Sequence, residues 1–143
     1  MSALTFILVV LVAFIAGVAS VVDERQFHRP LVACTLMGFA LGDPTTGIML
    51  GGFLELIALG WMNVGAAMAP DSALASTISA LVVIQGHQNI DTGIAIAVPL
   101  AAAGQVLTIF VRTITVFFQH QADNFAKTAN FRGIELMHLS GMA

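Results

Sequence analysis

Charge is what this sequence has least of. Lysine and arginine together number five in 143 residues, acidic residues eight, and charged side chains make up 9% of the chain. With so few cations and a net charge of −3, no basic face for nucleic acid can be assembled. The one cysteine, Cys34, has no second thiol to pair with, so an internal disulfide is excluded. Its apolar setting makes it a small packing residue. The sequence contains no HExxH, no paired cysteines and no carboxylate cluster that would specify a metal, so no metal is expected. It also lacks GxxxxGK[ST] and GxSxG, which removes ATP hydrolysis by a P-loop and serine hydrolysis by a nucleophile elbow. No catalytic residue and no cofactor is expected from the residues alone.

Apolar residues are what remains. They make up 58% of the chain, and the mean hydropathy is +0.94. Soluble domains average about 45–50% apolar and about 25% charged residues. A soluble domain near this size still exposes about a third of its unfolded surface, so this much apolar area could not be hidden. Disorder requires the opposite composition. The solvent predicted for this chain is lipid, and the predicted fold class is an all-α integral membrane protein.

The apolar runs are unequal, and their lengths predict the architecture of a single membrane domain over residues 1–143. Residues 3–22 are uncharged and long enough to span a hydrocarbon core of about 30 Å. No basic residue precedes them, which argues for an uncleaved spanning helix over a secretory signal. The loop DERQFHR follows and carries four of the thirteen charged residues. Residues 30–42 are apolar but too short to cross, and Asp43-Pro44 ends them. Residues 45–86 read as broken segments interrupted at Pro70-Asp71. Residues 92–111 form a second uncharged span, and 112–143 a polar tail placed in water or at the interface. Short, interrupted segments between full spans are predicted to be broken or re-entrant. Irregular backbone at membrane depth must be buried in protein or line a wet cavity, and such segments point to a transporter's substrate site. The alternative is a proline-kinked bundle without a cavity. Positive charge is biased toward DERQFHR and the tail, which predicts both on the inner side. Gly38/Gly42 and Gly47/Gly51 are GxxxG pairs that would let helices approach closely.

Glu55 is the most informative single residue, an acid in the apolar string GGFLELIALGW. An ionisable group at membrane depth is costly and faces a bundle interior or cavity. It either hydrogen-bonds a polar solute or relays protons, or it is a structural lock to an arginine or to freed backbone groups. Asp71 has two readings as well: a solute ligand, or the cap of a helix that begins at Ser72. Asn63 carries both donor and acceptor atoms, as a sugar hydroxyl does. Trp61 could stack on a ring or anchor at the interface. In the charged loop, Gln26 and His28 flank Phe27, and His28 is either a solute contact or a structural residue.

Three strings carry a resemblance: DERQFHRPLVACTLMGFALGD, TGIMLGGFLELIALGWMNVGAAMAPDSALAS and VPLAAAGQVLTIFVRTITVFFQHQAD. Together they resemble the IIC membrane component of the mannose/fructose/sorbose family of the bacterial sugar phosphotransferase system, from about Ile7 to Asp123. The resemblance covers the N-terminal half of such subunits, which continue into further spanning helices. It implies a multi-pass permease of the bacterial inner (cytoplasmic) membrane. That permease pairs with a IID membrane subunit in a larger oligomer and delivers a hexose to the cytoplasmic face. There a IIB protein, recharged by IIA and the phosphocarrier HPr, would phosphorylate the sugar in a phosphoenolpyruvate-dependent reaction. The phosphohistidines would belong to those soluble partners. It further implies a docking receptor for certain bacteriocins, and sugar contacts at Gln26, Glu55, Asn63 and Asp71. Two other readings stay open: an ion- or proton-coupled carrier in which Glu55 and Asp71 titrate, and a structural or receptor subunit without transport activity.

Overall fold

The computed structural model describes residues 2–22, 26–61 and 68–142. Six helices and no strand form among them: α1 (Ala3–Val22), α2 (Pro30–Leu41), α3 (Pro44–Ala58), α4 (Ser72–Gln85), α5 (Ile90–Lys127) and α6 (Phe131–Met142). The chain is an all-α membrane protein with two helices, α1 and α5, long and apolar enough to cross a bilayer. Between them, α2, α3 and α4 are apolar but shorter. Two compact units result, Met1–Gln105 and Val106–Ala143.

In the first unit, α1 is apolar around its whole circumference, the pattern of a helix with no aqueous face. Its buried stripe is narrow: Val9, Val12, Ala16 and Ala19, spaced by three and four residues on one face. The rest of the surface exposes large apolar groups, Phe14 at 69% among them.

Helices α2 and α3 form a tight antiparallel hairpin. Proline at the first position of each helix costs nothing there, because that amide has no partner within the helix. Gly42 closes α2 with φ 87°, a left-handed conformation that side chains resist. The amides of Gly42 and Asp43 both donate to the Gly38 carbonyl. Asp43 then starts α3: its carboxylate accepts from the Thr46 amide at 3.1 Å and the Thr46 hydroxyl at 2.6 Å. Asp43→Ala removes this cap, and thermal unfolding in detergent should show a loss of about 1 kcal/mol.

The hairpin is held by absent side chains. A Cβ on Gly47 would lie 2.5 Å from the Cys34 carbonyl oxygen, and one on Gly51 would lie 2.9 Å from Leu31 Cα. Gly38 faces Gly47 across the same seam. The Gly47/Gly51 pair is therefore a true close-approach motif. The Gly38/Gly42 pair is not, since Gly42 has open space around it and serves the turn.

Helix α4 is enclosed on nearly every side. Ala73, Ala75, Ser76, Thr77, Ser79, Ala80, Val83 and Ile84 are all buried. Lipid and core cannot hydrate these hydroxyls, so Ser76 and Thr77 donate back to the carbonyls of Ser72 (2.5 Å) and Ala73 (2.8 Å). Gly93 of α5 admits Val83 and Leu50, and Gly104 admits Asp71 and Leu74. The core gathers Met37, Leu50, Leu54, Val83, Ala97 and Ala101.

Helix α5 does not stop at Val111 but continues to Lys127, carrying Pro99 inside it. No glycine or proline occurs between residues 112 and 127, so nothing in the backbone ends the helix where the polarity rises. In the second unit α6 follows a turn in which Asn130 accepts from the Gly133 amide, and the Phe125 ring lies against Gly133.

Candidate functional site

The hairpin geometry decides what meets Glu55. Because α3 runs back along α2, its second half returns to the start of α2, where Gly51 lies against Pro30 and Leu31. Glu55 is one turn further along α3. Its Oε1 accepts from Arg29 Nη1 at 2.6 Å, and its Oε2 accepts from the Leu31 amide at 3.2 Å. The Leu31 amide is one of the first-turn donors that a helix leaves unpaired. Both partners of the lock reading are thus present: an arginine and a freed backbone group. The pair is not sealed away, since the Arg29 side chain is 41% exposed and that of Glu55 19%.

Arg29 reaches a second acceptor. Its Nε donates to Gln26 Oε1 at 2.9 Å, and its amide donates to the Gln26 carbonyl. Gln26 adopts φ 63°, a left-handed backbone that is uncommon for a residue with a side chain. His28 follows in the same turn. Its carbonyl accepts from the Ser72 hydroxyl at 3.3 Å, which ties the loop to the first residue of α4. The His28 Nδ1 is buried without a partner among the described residues.

Asp71 sits at the other side of that tie. Its Oδ1 accepts from the Leu74 amide at 3.0 Å, so it caps α4. Its own amide donates to the Ala101 carbonyl, and Gln105 Nε2 donates to the Met68 carbonyl at 2.5 Å. These two bonds fasten the segment before α4 onto α5. Trp61 closes the last turn of α3, its amide donating to Ala58, and is partly buried against the core. Asn63 lies outside the described residues.

The structure therefore joins Glu55, Arg29 and Gln26 directly, and links His28 to the start of α4 beside Asp71. Among the described residues, no hydrogen bond joins Asp71 or Trp61 to Glu55. Nor do three His, Cys, Asp or Glu side chains converge there to hold a metal ion. Arg29 is the residue that sequence reasoning left out of the site. Its only signal in the sequence is that a lone acid in an apolar helix needs a partner and cations are few.

The arrangement can do two things chemically. It offers a charged acceptor, fixed on both oxygens, next to an amide, at the meeting of three helix ends. It also leaves part of that cluster open.

The family model described as "PTS system sorbose-specific IIC component" matches residues 3–143. The chain belongs to this family. Relatives include the fructose permease IIC component of Bacillus subtilis (strain 168), 66% identical over 99% of this chain and 53% of its own length. The sorbose-specific EIIC component of Klebsiella pneumoniae is 64% identical over 99% and 53%. The mannose-specific EIIC component of Escherichia coli (strain K12) is 63% identical over 97% and 52%. The chain thus spans about half the length of the curated relatives it matches. A chain in the cryo-EM structure of the mannose transporter ManYZ and microcin E492 complex superposes with a TM-score of 0.90. It is 62% identical, over 99% of this chain and 57% of that one.

Proposed function

We propose that this chain forms part of the sugar permease (IIC) of a phosphoenolpyruvate-dependent phosphotransferase system. It binds a hexose of the mannose/fructose/sorbose type and passes it across the membrane for phosphorylation by a IIB partner. Gln26, His28, Glu55, Trp61, Asn63 and Asp71 contact the sugar. The observation that carries this reading is the Glu55 cluster: a carboxylate in an otherwise apolar helix, held by Arg29 and the Leu31 amide and still partly open. A hexose is a set of paired donors and acceptors, and each mispaired buried hydroxyl costs about 1–3 kcal/mol. An apolar path must therefore supply charged and amide groups where the sugar rests. The names of the relatives agree with this substrate class.

The chemistry at the sugar is the partners' work. This chain's residues bind, orient and release, and the phosphohistidines sit on IIA and IIB. A IID subunit completes the permease in the bacterial inner membrane as a multi-pass, oligomeric IIC–IID assembly. The ManYZ–microcin complex of the relative favours a bacteriocin-receptor role as well.

The test is energetic coupling. In membrane vesicles containing the protein with its partner components, hexose uptake should require phosphoenolpyruvate and persist when an uncoupler collapses the proton gradient. Uptake that needs no phosphoenolpyruvate and vanishes with the gradient would make the chain an ion-coupled carrier instead.

A further inference from the structure

We infer that Arg29 is a positioning residue that orients two members of the proposed hexose site at once, Gln26 and Glu55, through separate nitrogens of one guanidinium. The inference rests on the hexose-binding reading above and extends it to a residue outside the proposed sugar contacts.

A guanidinium only donates, so whatever faces Arg29 Nε must be an acceptor. The Gln26 amide therefore turns its oxygen to Arg29, at 2.9 Å, and its NH2 group away. Left alone, an amide on a loop rotates between its two orientations, and donor and acceptor change places. Arg29 removes that ambiguity. On the other side, Arg29 Nη1 holds Glu55 Oε1 at 2.6 Å while the Leu31 amide holds Oε2. Each carboxylate oxygen keeps a further lone pair, so two adjacent acceptors remain available to a pair of neighbouring hydroxyls. The result is two groups with fixed polarity, an amide whose NH2 donor is turned away from the guanidinium and a carboxylate with free lone pairs, each able to meet a sugar hydroxyl. The left-handed backbone of Gln26 supports the same view, since such strain persists where the surroundings enforce one conformation.

Lysine cannot replace this arginine. Its ammonium is a single point charge on a flexible stem, able to satisfy Glu55 but not Gln26 in the same geometry. Arg29→Lys thus separates charge from orientation. Hexose uptake by the lysine variant should show KM raised by about tenfold, the loss of roughly one well-placed hydrogen bond, with Vmax within about twofold. Membrane abundance should be unchanged. In a Gln26→Ala background, where there is no amide left to orient, the same substitution should raise KM by less than about threefold, because coupled residues are not additive. A second variant, Gln26→Glu, keeps an acceptor for Arg29 and exchanges the NH2 donor for a charged acceptor oxygen. It should also raise KM without loss of protein, and it serves if the lysine variant fails to accumulate.

An unchanged KM in Arg29→Lys or Gln26→Glu, while Glu55→Ala loses uptake, overturns the positioning role and leaves the hexose site standing. Full additivity of Arg29→Lys and Gln26→Ala overturns it too. If Glu55→Ala and Gln26→Ala both leave KM unaltered, the hexose-site reading fails, and this inference fails with it.

Discussion

Glu55→Ala is expected to cut hexose uptake by at least about a hundredfold while the protein still accumulates in the membrane. Two hydrogen bonds from sugar hydroxyls to a charged acceptor contribute about 1.5–3 kcal/mol each, and tenfold corresponds to about 1.4 kcal/mol. Stability should suffer far less. The Arg29 side chain is 41% exposed, so once unpaired it can turn toward water, and an ion pair that open contributes about 0–1 kcal/mol. The Leu31 amide loses its acceptor, but Leu31 lies at an exposed helix start where water can replace it. Glu55→Gln preserves the shape and one acceptor oxygen, and should fall between the alanine variant and the parent. Radiolabelled hexose uptake, normalised to membrane abundance, measures all three. Parental uptake in Glu55→Ala would end the sugar role of this residue. Loss of the protein from the membrane would assign it to the fold instead.

The class of fold was legible because composition leaves so few solutions. A charge-poor chain whose apolar runs alternate between spanning and shorter lengths has to be helical in lipid, since only helices and closed barrels satisfy every backbone group there. The helix boundary near residue 111 was not legible. Arg112 and the polarity after it mark a change of surroundings, but polar side chains are compatible with helix, and no glycine or proline among residues 112–127 interrupts it. A similar distinction separates the two glycine pairs. Spacing alone is the same for Gly38/Gly42 and Gly47/Gly51, yet Gly42 precedes Asp43-Pro44 and takes the left-handed turn that starts the return helix.

The site was legible where one residue carried its own contradiction. Glu55 stands out as the lone acid of an apolar run, and Pro70-Asp71-Ser72 reads as a helix start because an aspartate there can accept from the third residue on, as it does from Leu74. Arg29 was not legible. It lies 26 positions before Glu55, and no periodicity relates them. Only the hairpin brings them together, and the hairpin depends on glycines whose role appears once two backbones touch. The Gln26–Arg29 contacts are local to one turn, and the tie from the His28 carbonyl to Ser72 depends on the placement of α4.

That dependence sets the second large effect. Gly47→Leu should eliminate the folded protein, because even the first carbon of the new side chain would sit 2.5 Å from the Cys34 carbonyl oxygen and 3.0 Å from Gly38 Cα. Both obstacles are backbone atoms, so no rotamer change relieves them; the two helices must separate. Separation unseats the Arg29–Glu55 pair at the far end of the hairpin, so stability and site should be lost together. Gly47→Ala carries the same first carbon and should destabilise by about 1–3 kcal/mol, the usual cost of overpacking, and more if the helices cannot adjust. Gly52 is the internal control. It is one residue beyond Gly51 on the same helix, and a Cβ there meets nothing within 4 Å. Gly52→Ala should therefore stabilise the helix by about 0.5–1 kcal/mol, the ordinary gain of alanine over glycine in a helix interior. One substitution type, five positions apart on one helix, should thus act in opposite directions. Thermal unfolding of the purified variants in detergent reads the sign directly. Equal and small effects at both positions would mean that α2 and α3 do not approach as closely as the seam requires, and the path from hairpin to Glu55 would have to be abandoned.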